Sequence, residues 1–255
     1  MIDALAALVR DVGARLLTWR ADGGTAGAWD GTQFHAAADR WAHDALVSGL
    51  TAIAPQFSIV SEEAAEHATP TSRYWLIDPI DGTASYAGGF EGFVTQVALI
   101  EDGAPVLAAV CAPAFEHVFL AERGRGATRN GVPLRTRDTG SLTLIDNTPT
   151  PHGLTARVSS ALSATGYRES GSLGLKICRV ADGTADLFVK DVRVRDWDLA
   201  PAHLLLEEAG GVLSDGSGAP IFYGRPDRVH AGLIAARDRA LGARACAAIT
   251  TLSAS

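Results

Sequence analysis

The chain has 255 residues, 47% hydrophobic and 20% charged, a composition that excludes intrinsic disorder and allows one large core or two lobes around a shared one. Its formal charge of -7 disfavours a nucleic-acid polymer as partner, and the scattered Cys111, Cys178 and Cys246 fit neither a disulfide framework nor a thiolate cluster. No apolar run approaches the ~18 residues of a membrane span, and the first residues lack the layout of a secretion signal, so the expected location is cytoplasmic, with no membrane partner.

Ile2, Leu5, Leu8, Val9, Val12, Leu16 and Leu17 recur at helical spacing and predict a first amphipathic helix; a second is predicted from near Ala36 to Leu50. The glycine-rich stretch Ala21 to Thr32 between them reads as a mobile loop. Short β-type runs follow after Pro55: Phe57 to Val60, Tyr74 to Ile77, Phe93 to Ile100, Pro105 to Cys111 and Val118 to Leu120, with turns at Asp102-Gly103 and Asn130-Gly131. Their close spacing predicts mostly antiparallel pairing. From Ser141 onward the pattern alternates: strand Leu142 to Ile145, helices near Leu154 to Ala164 and Leu173 to Ala181, strand Leu187 to Val189, helix Leu199 to Ala209, strand Ala231 to Ala235, and a final helix. This is a layered α and β sandwich, read as one catalytic unit over 1–255, with an N-terminal α+β lobe at 1–140 and a C-terminal α/β lobe at 141–255, the boundary falling near Arg137 to Ser141.

The chemistry concentrates in acids. Asp78-Pro79-Ile80-Asp81-Gly82-Thr83 follows the strand Tyr74 to Ile77, and Pro79 demands an extended Asp78 and a turn after it. Two carboxylates three residues apart can then share one small volume, while Gly82 and a helix starting near Thr83 would aim free N–H groups at an anion. Carboxylates beside an anion need cations between them, and hard oxygen ligands imply Mg²⁺. The same string also suits a turn in which both aspartates cap the following helix. Glu62-Glu63 closes an earlier strand, and Asp196-Trp197-Asp198 opens a helix ending in Glu207-Glu208-Ala209-Gly210-Gly211; these read equally as a solvated pair and as helix caps.

Taken together, Ser61-Glu62-Glu63, Trp75 to Thr83 (WLIDPIDGT) and Trp197 to Gly211 (WDLAPAHLLLEEAGG) resemble the inositol monophosphatase superfamily, and the interval of 23 residues from Asp39 to Glu62 matches that family's spacing. The resemblance implies an αβαβα sandwich with a mainly antiparallel N-terminal sheet and a mixed C-terminal one. It implies an enzyme, a metal-dependent phosphoric monoester hydrolase acting on a small-molecule ester, with Glu62, Asp78 and the Ile80 carbonyl on one Mg²⁺ and Asp78, Asp81 and Asp198 on a second. A third, weaker ion near Glu62 is implied for many members. Gly82 and Thr83 would offer N–H groups to the phosphate; Asp39 would orient Thr83; and Glu62 or the Thr83–Asp39 pair would take the proton of the attacking water. Glu63 would stand behind the ligands, and Asp196 would cap its helix. Two cations about 3.5 to 4 Å apart neutralise an ester dianion and lower the pKa of water.

The chain departs from the family pattern upstream, reading Phe34-His35-Ala36-Ala37-Ala38-Asp39 where most members have V-T-x-x-D, and its glycine-rich loop lacks a lysine, which leaves either weak binding of the third ion or a role for His35 or Arg20. The other histidines, His43, His67, His117, His152, His203 and His230, read as single core or surface residues. Gly171 to Lys176 and Val180 to Gly183 resemble a stretch of 3'(2'),5'-bisphosphate nucleotidases, whereas Ala84-Ser85-Tyr86 matches neither that branch nor the inositol phosphatases. Lys176, Lys190 and arginines between Arg168 and Arg195 place basic charge where a leaving group would sit; Asp191 falls where inositol phosphatases hold a hydroxyl. The leading substrate is a nucleotide like 3'-phosphoadenosine 5'-phosphate. The alternatives are inositol 1-phosphate, histidinol phosphate or another polyol phosphate, and, more remotely, a non-catalytic metal-binding regulator. Relatives are often homodimers.

Overall fold

The structure, a computed structural model, describes residues 1–23, 27–29, 34–64 and 71–254. Helix α1 (Ile2–Ala21) is followed by a short antiparallel pair, β1 (Gly27–Trp29) and β2 (Phe34–Ala36), and by helix α2 (Ala37–Ile53). Then come β3 (Ser58–Ser61), β4 (Arg73–Asp81), the single-turn α3 (Thr83–Ala87), β5 (Val94–Glu101), β6 (Ala104–Ala112), β7 (His117–Glu122), β8 (Gly126–Arg129) and β9 (Val132–Pro133). The second half holds β10 (Thr143–Asp146), α4 (Gly153–Ala161), β11 (Gly166–Glu169), α5 (Leu173–Ala181), β12 (Leu187–Arg195), α6 (Asp196–Glu208), β13 (Val212–Ser214), β14 (Val229–Ala236) and α7 (Arg239–Ala254).

Strands β3 to β9 form a seven-stranded sheet in chain order, antiparallel except for β3 beside β4. The other sheet has the order β11-β10-β12-β14-β13, with β10 parallel to both neighbours and the rest antiparallel. Because strand side chains alternate, β4 sends Trp75 and Ile77 into the core beneath α1 and α2 and Tyr74 and Leu76 into the core on the other face, so the strand reads as a continuous apolar run. Helices α5 and α6 fill the space between the sheets, and α4 and α7 cover the outer face of the five-stranded one. The result is the αβαβα sandwich. Helix α6 is buried around most of its circumference between its two charged ends because it packs against both sheets, which is why its sequence shows no amphipathic stripe.

Several elements differ from the sequence reading. β4 does not end at Ile77 but runs to Asp81, β12 extends to Arg195, and α6 begins at Asp196 rather than Leu199. Strands β1, β2, β8, β9, β11 and β13 were not expected; each is two to four residues long, too short for a periodic signal. Half of the glycine-rich stretch Ala21 to Thr32 lies outside the described residues, as do His67 and the side chain of His35, and its described half is not a plain loop, because α1 ends at Ala21 and β1 spans Gly27–Trp29.

Candidate active site

The site begins with an irregularity in β4. In a regular strand, residues three apart face opposite sides, yet here Asp78 pairs with Gln96 and Asp81 with Val94, so the register shifts by one residue between them. That extra residue is a β-bulge at Pro79-Ile80, where proline has no N–H to lose from the ladder. The bulge turns Asp78 and Asp81 toward the same interior, while the Ile80 side chain joins the core beneath α1 and α2. The chain then passes Gly82 at φ 89°, a left-handed conformation that favours glycine, where a Cβ would also crowd Ser172 at 3.0 Å.

Four acids from three elements converge on this point. Asp78 is 0% exposed and Asp81 is buried, whereas Glu62 at the end of β3 and Asp198 in the first turn of α6 are partly open. Burial raises the pKa of Asp78 well above the usual carboxylate range, and the neighbouring charges of Glu62, Asp81 and Asp198 push it further. Asp198 is raised in the same way, by burial and then by Asp81 and Glu62. Asp81 is raised by burial even though it accepts the N–H of Leu173 at 3.2 Å and of Gly174 at 2.6 Å from the start of α5. Among the described residues, no three His, Cys, Asp or Glu side chains are already arranged as a ready-made cation cage. Backbone and amide donors hold some of the oxygens: Asp198 Oδ2 accepts the Arg195 N–H at 2.7 Å, and Gln96 reaches both Asp78 and Asp81. Asp78 Oδ1 is nevertheless buried with no donor. Mutually repelling buried carboxylates with an unmatched oxygen are a donor set that fits a hard divalent cation.

Thr83 opens α3 beside these acids. Its Oγ1 lies 3.2 Å from Asp39 Oδ1 and 2.9 Å from the Ile80 carbonyl oxygen, so the pairing with Asp39, 2% exposed on α2, is present. Asp81 and Gly82 face a cleft of about 540 Å³ that also takes in Glu169, Lys176 and Lys190. Of the 22 basic residues only Lys176 and Lys190 are lysines, and both line this cleft. Neither is idle. Lys176, 3% exposed, donates to the Gly171 carbonyl and lies over the Phe188 ring, and burial lowers its pKa to about 8. Lys190 Nζ donates to Asp146 at 2.9 Å and to Asn147 at 3.1 Å.

The family profile of inositol monophosphatases matches residues 3–253. The chain belongs to the inositol monophosphatase family. It thereby stands among metal-dependent phosphomonoester hydrolases. It is 34% identical over 196 residues to the 3'(2'),5'-bisphosphate nucleotidase CysQ of Salmonella typhimurium, covering 73% of this chain and 78% of that one. It is also 30% identical over 190 residues to a putative Nus factor SuhB of Neisseria meningitidis, 71% of this chain and 72% of the relative. Among solved structures, the Thermotoga maritima IMPase superposes with a TM-score of 0.84 at 25% identity, over 99% of this chain and 97% of that one.

Other expected residues of this family member lie elsewhere. Asp191 is exposed and is not among the cleft-lining residues. The arginines do not converge on the cleft: Arg179 pairs with Asp182, Arg195 donates to the Asp227 carbonyl, and Arg168 and Arg193 are exposed. Arg20 donates to the Phe90 carbonyl at 3.0 Å and stacks over Phe93, tying α1 to the loop after α3. Asp196 does more than cap: Arg195 is the N-cap, and the buried Asp196 carboxylate pairs with His230 at 2.8 Å and accepts the Gly224 N–H at 3.1 Å. His43, on the same helix as Asp39, is bonded to Ser61 Oγ at 2.8 Å, next to Glu62. Phe90 and Val192, 45% and 48% exposed, also line the cleft and escaped the sequence reading, because an exposed apolar residue has no periodic signature. Gln96 was missed as well, although a lone amide within the apolar run Phe93 to Ile100 was a usable signal.

Proposed function

We propose that the chain hydrolyses a phosphate monoester of a small metabolite that carries a second anionic group, with a nucleotide resembling 3'-phosphoadenosine 5'-phosphate as the leading substrate. The observation that carries this reading is the convergence of four acids, one of which, Asp81, lines a cleft that also takes in both lysines of the chain. Glu62, Asp78, the Ile80 carbonyl, Asp81 and Asp198 would hold two Mg²⁺, with a weaker third near Glu62. When bound, Mg²⁺ supplies charge that neutralises the ester dianion and acidifies the attacking water. The chain does the rest. Gly82 and Thr83 present backbone N–H groups to the transferred phosphate, the Thr83 hydroxyl held by Asp39 orients the attacking water, and Glu62 or the Thr83–Asp39 pair accepts its proton. In-line displacement then releases phosphate and an alcohol.

Three facts support the nucleotide reading. The CysQ relative is named a bisphosphate nucleotidase; an ammonium has three donors, so Lys190 keeps one beyond Asp146 and Asn147; and the apolar Phe90 and Val192 suit a flat ring. We further propose that residues 1–255 act as one catalytic unit, most of the ligands coming from 1–140 and Asp198 from 141–255. Glu169 on the cleft favours a second reading, a polyol phosphate, because a carboxylate accepts hydroxyls and repels a second phosphate. Comparing kcat/KM for 3'-phosphoadenosine 5'-phosphate, inositol 1-phosphate and histidinol phosphate decides between them. A charge-assisted contact of about 1.5 to 3 kcal/mol predicts a preference for the bisphosphate of roughly tenfold to over a hundredfold. A preference for a monophosphate that Lys190→Ala leaves unchanged would overturn the nucleotide reading.

A further inference from the structure

Asp78 and Asp81 come from β4 and Asp198 from α6, yet the side chain that joins these two elements comes from β5. Gln96 is fully buried and stands directly opposite Asp78 in the β4–β5 ladder. Its Nε2 lies 3.3 Å from Asp78 Oδ2, 3.4 Å from Asp81 Oδ2 and 3.1 Å from the Trp197 carbonyl oxygen. The last contact has a covalent reason. In a regular helix the Trp197 carbonyl would accept the N–H four residues on, but that residue is Pro201, inside α6, which has none. The Gln96 amide supplies the missing donor. Helix α5 closes the other side, for a Cβ at Gly174 would overlap Gln96 Oε1 and stand 3.0 Å from Asp81 Oδ2. The amide therefore has no room to swing away, and its buried Oε1 has no donor.

We propose that Gln96 is a positioning residue of the cation site. It holds the carboxylates of Asp78 and Asp81 and the first turn of α6, which carries Asp198, in one arrangement, so that a divalent cation meets oxygens already in place. The inference rests on reading those acids as cation ligands. An amide suits this place better than a lysine or arginine. Its two amide hydrogens are shared among the Trp197 carbonyl and the two carboxylates, without a full positive charge that would neutralise the acids and compete with the cation.

The test uses the full chain and Gln96→Met, which keeps the length and removes both donors. Two quantities are read: the Mg²⁺ concentration giving half of the full Mg²⁺-induced rise in Tm, and the Mg²⁺ concentration giving half-maximal phosphate release. Both should rise roughly tenfold or more, as for other groups that support metal ligands, with KM for the ester at saturating Mg²⁺ unchanged. Gln96→Met combined with Pro201→Ala, where the restored helix N–H satisfies the Trp197 carbonyl, separates helix repair from carboxylate positioning. The double variant should recover metal-free stability and keep the raised Mg²⁺ requirement. Wild-type Mg²⁺ midpoints in either variant would overturn the proposal, showing a role in packing alone. A wild-type chain with no Mg²⁺-dependent rise in Tm would overturn the cation reading and this inference with it.

Discussion

Thr83 has one hydroxyl proton and two acceptors in reach, Asp39 and the Ile80 carbonyl. If it orients the attacking water, Thr83→Ala lowers kcat with little change in KM, because the contact matters in the transition state. Asp39→Asn and the Thr83→Ala, Asp39→Asn double variant should then lose similar amounts in a kcat comparison, as one unit; strict additivity would separate the two residues. Asp81→Asn should cost at least about a hundredfold in kcat/KM. The structure adds that it also weakens the start of α5, since an amide cannot accept both N–H groups that the carboxylate accepts from Leu173 and Gly174. Lys176 gives a pH signature. With its pKa lowered to about 8 by burial, its charge disappears as pH rises through that value. A pH profile of kcat/KM should therefore fall above about 8 for a bisphosphate ester more steeply than for a monophosphate, and Lys176→Met should remove the difference.

At the scale of elements, the sequence showed the acids but not the device that aims them. Asp78 and Asp81 were legible from their spacing after an apolar strand, and the resemblance identified their partners Glu62, Asp198, Asp39 and Thr83. The bulge was not legible, because whether Asp-Pro-Ile-Asp turns or continues as a strand depends on the ladder it meets in β5. The glycines after Tyr167 were read through resemblance to nucleotidases, yet their local cause is contact. A Cβ at Gly171 would overlap the Gly92 carbonyl oxygen, which accepts the Ser172 N–H at 2.7 Å. Gly171→Ala must separate these loops, at a cost of ~1–3 kcal/mol. Because α5 begins there and holds Asp81, kcat/KM should fall along with the denaturant midpoint. An unchanged midpoint would contradict this account of the packing.

For the whole molecule, the layered architecture was readable because long periodic segments dominate it, whereas β8, β9, β11 and β13 were too short to register. The same architecture stores an electrostatic cost. Asp78, Asp81 and Asp198 all have pKa values raised in the fold, so the folded state keeps protons that the unfolded chain has released. Their contribution to stability is full below the ordinary aspartate value of about 3.9 and is lost as pH rises through the higher folded values. The contribution of these three acids to the metal-free Tm should accordingly decline with rising pH above about 4, against the opposite contribution of Asp138, Asp146 and Glu207, whose pKa values are lowered. Mg²⁺, which binds the ionised site, should raise Tm more at alkaline than at acidic pH. A Mg²⁺ effect that is independent of pH would contradict the reading of these acids as one cation site.

The most direct test of the central claim, that the buried acids hold the cations of a phosphomonoesterase, is phosphate release against Mg²⁺ concentration for wild type and Asp78→Asn, with metal-free Tm measured on the same samples. The substitution removes the most deeply buried charge of the cluster and keeps its shape. The account predicts that wild-type release rises from background in excess chelator to saturation with Mg²⁺, that Asp78→Asn loses at least about a hundredfold in rate, and that its metal-free Tm at neutral pH is higher than wild type because the repulsion is relieved. Near-normal release by Asp78→Asn, or full wild-type activity in excess chelator, would contradict it.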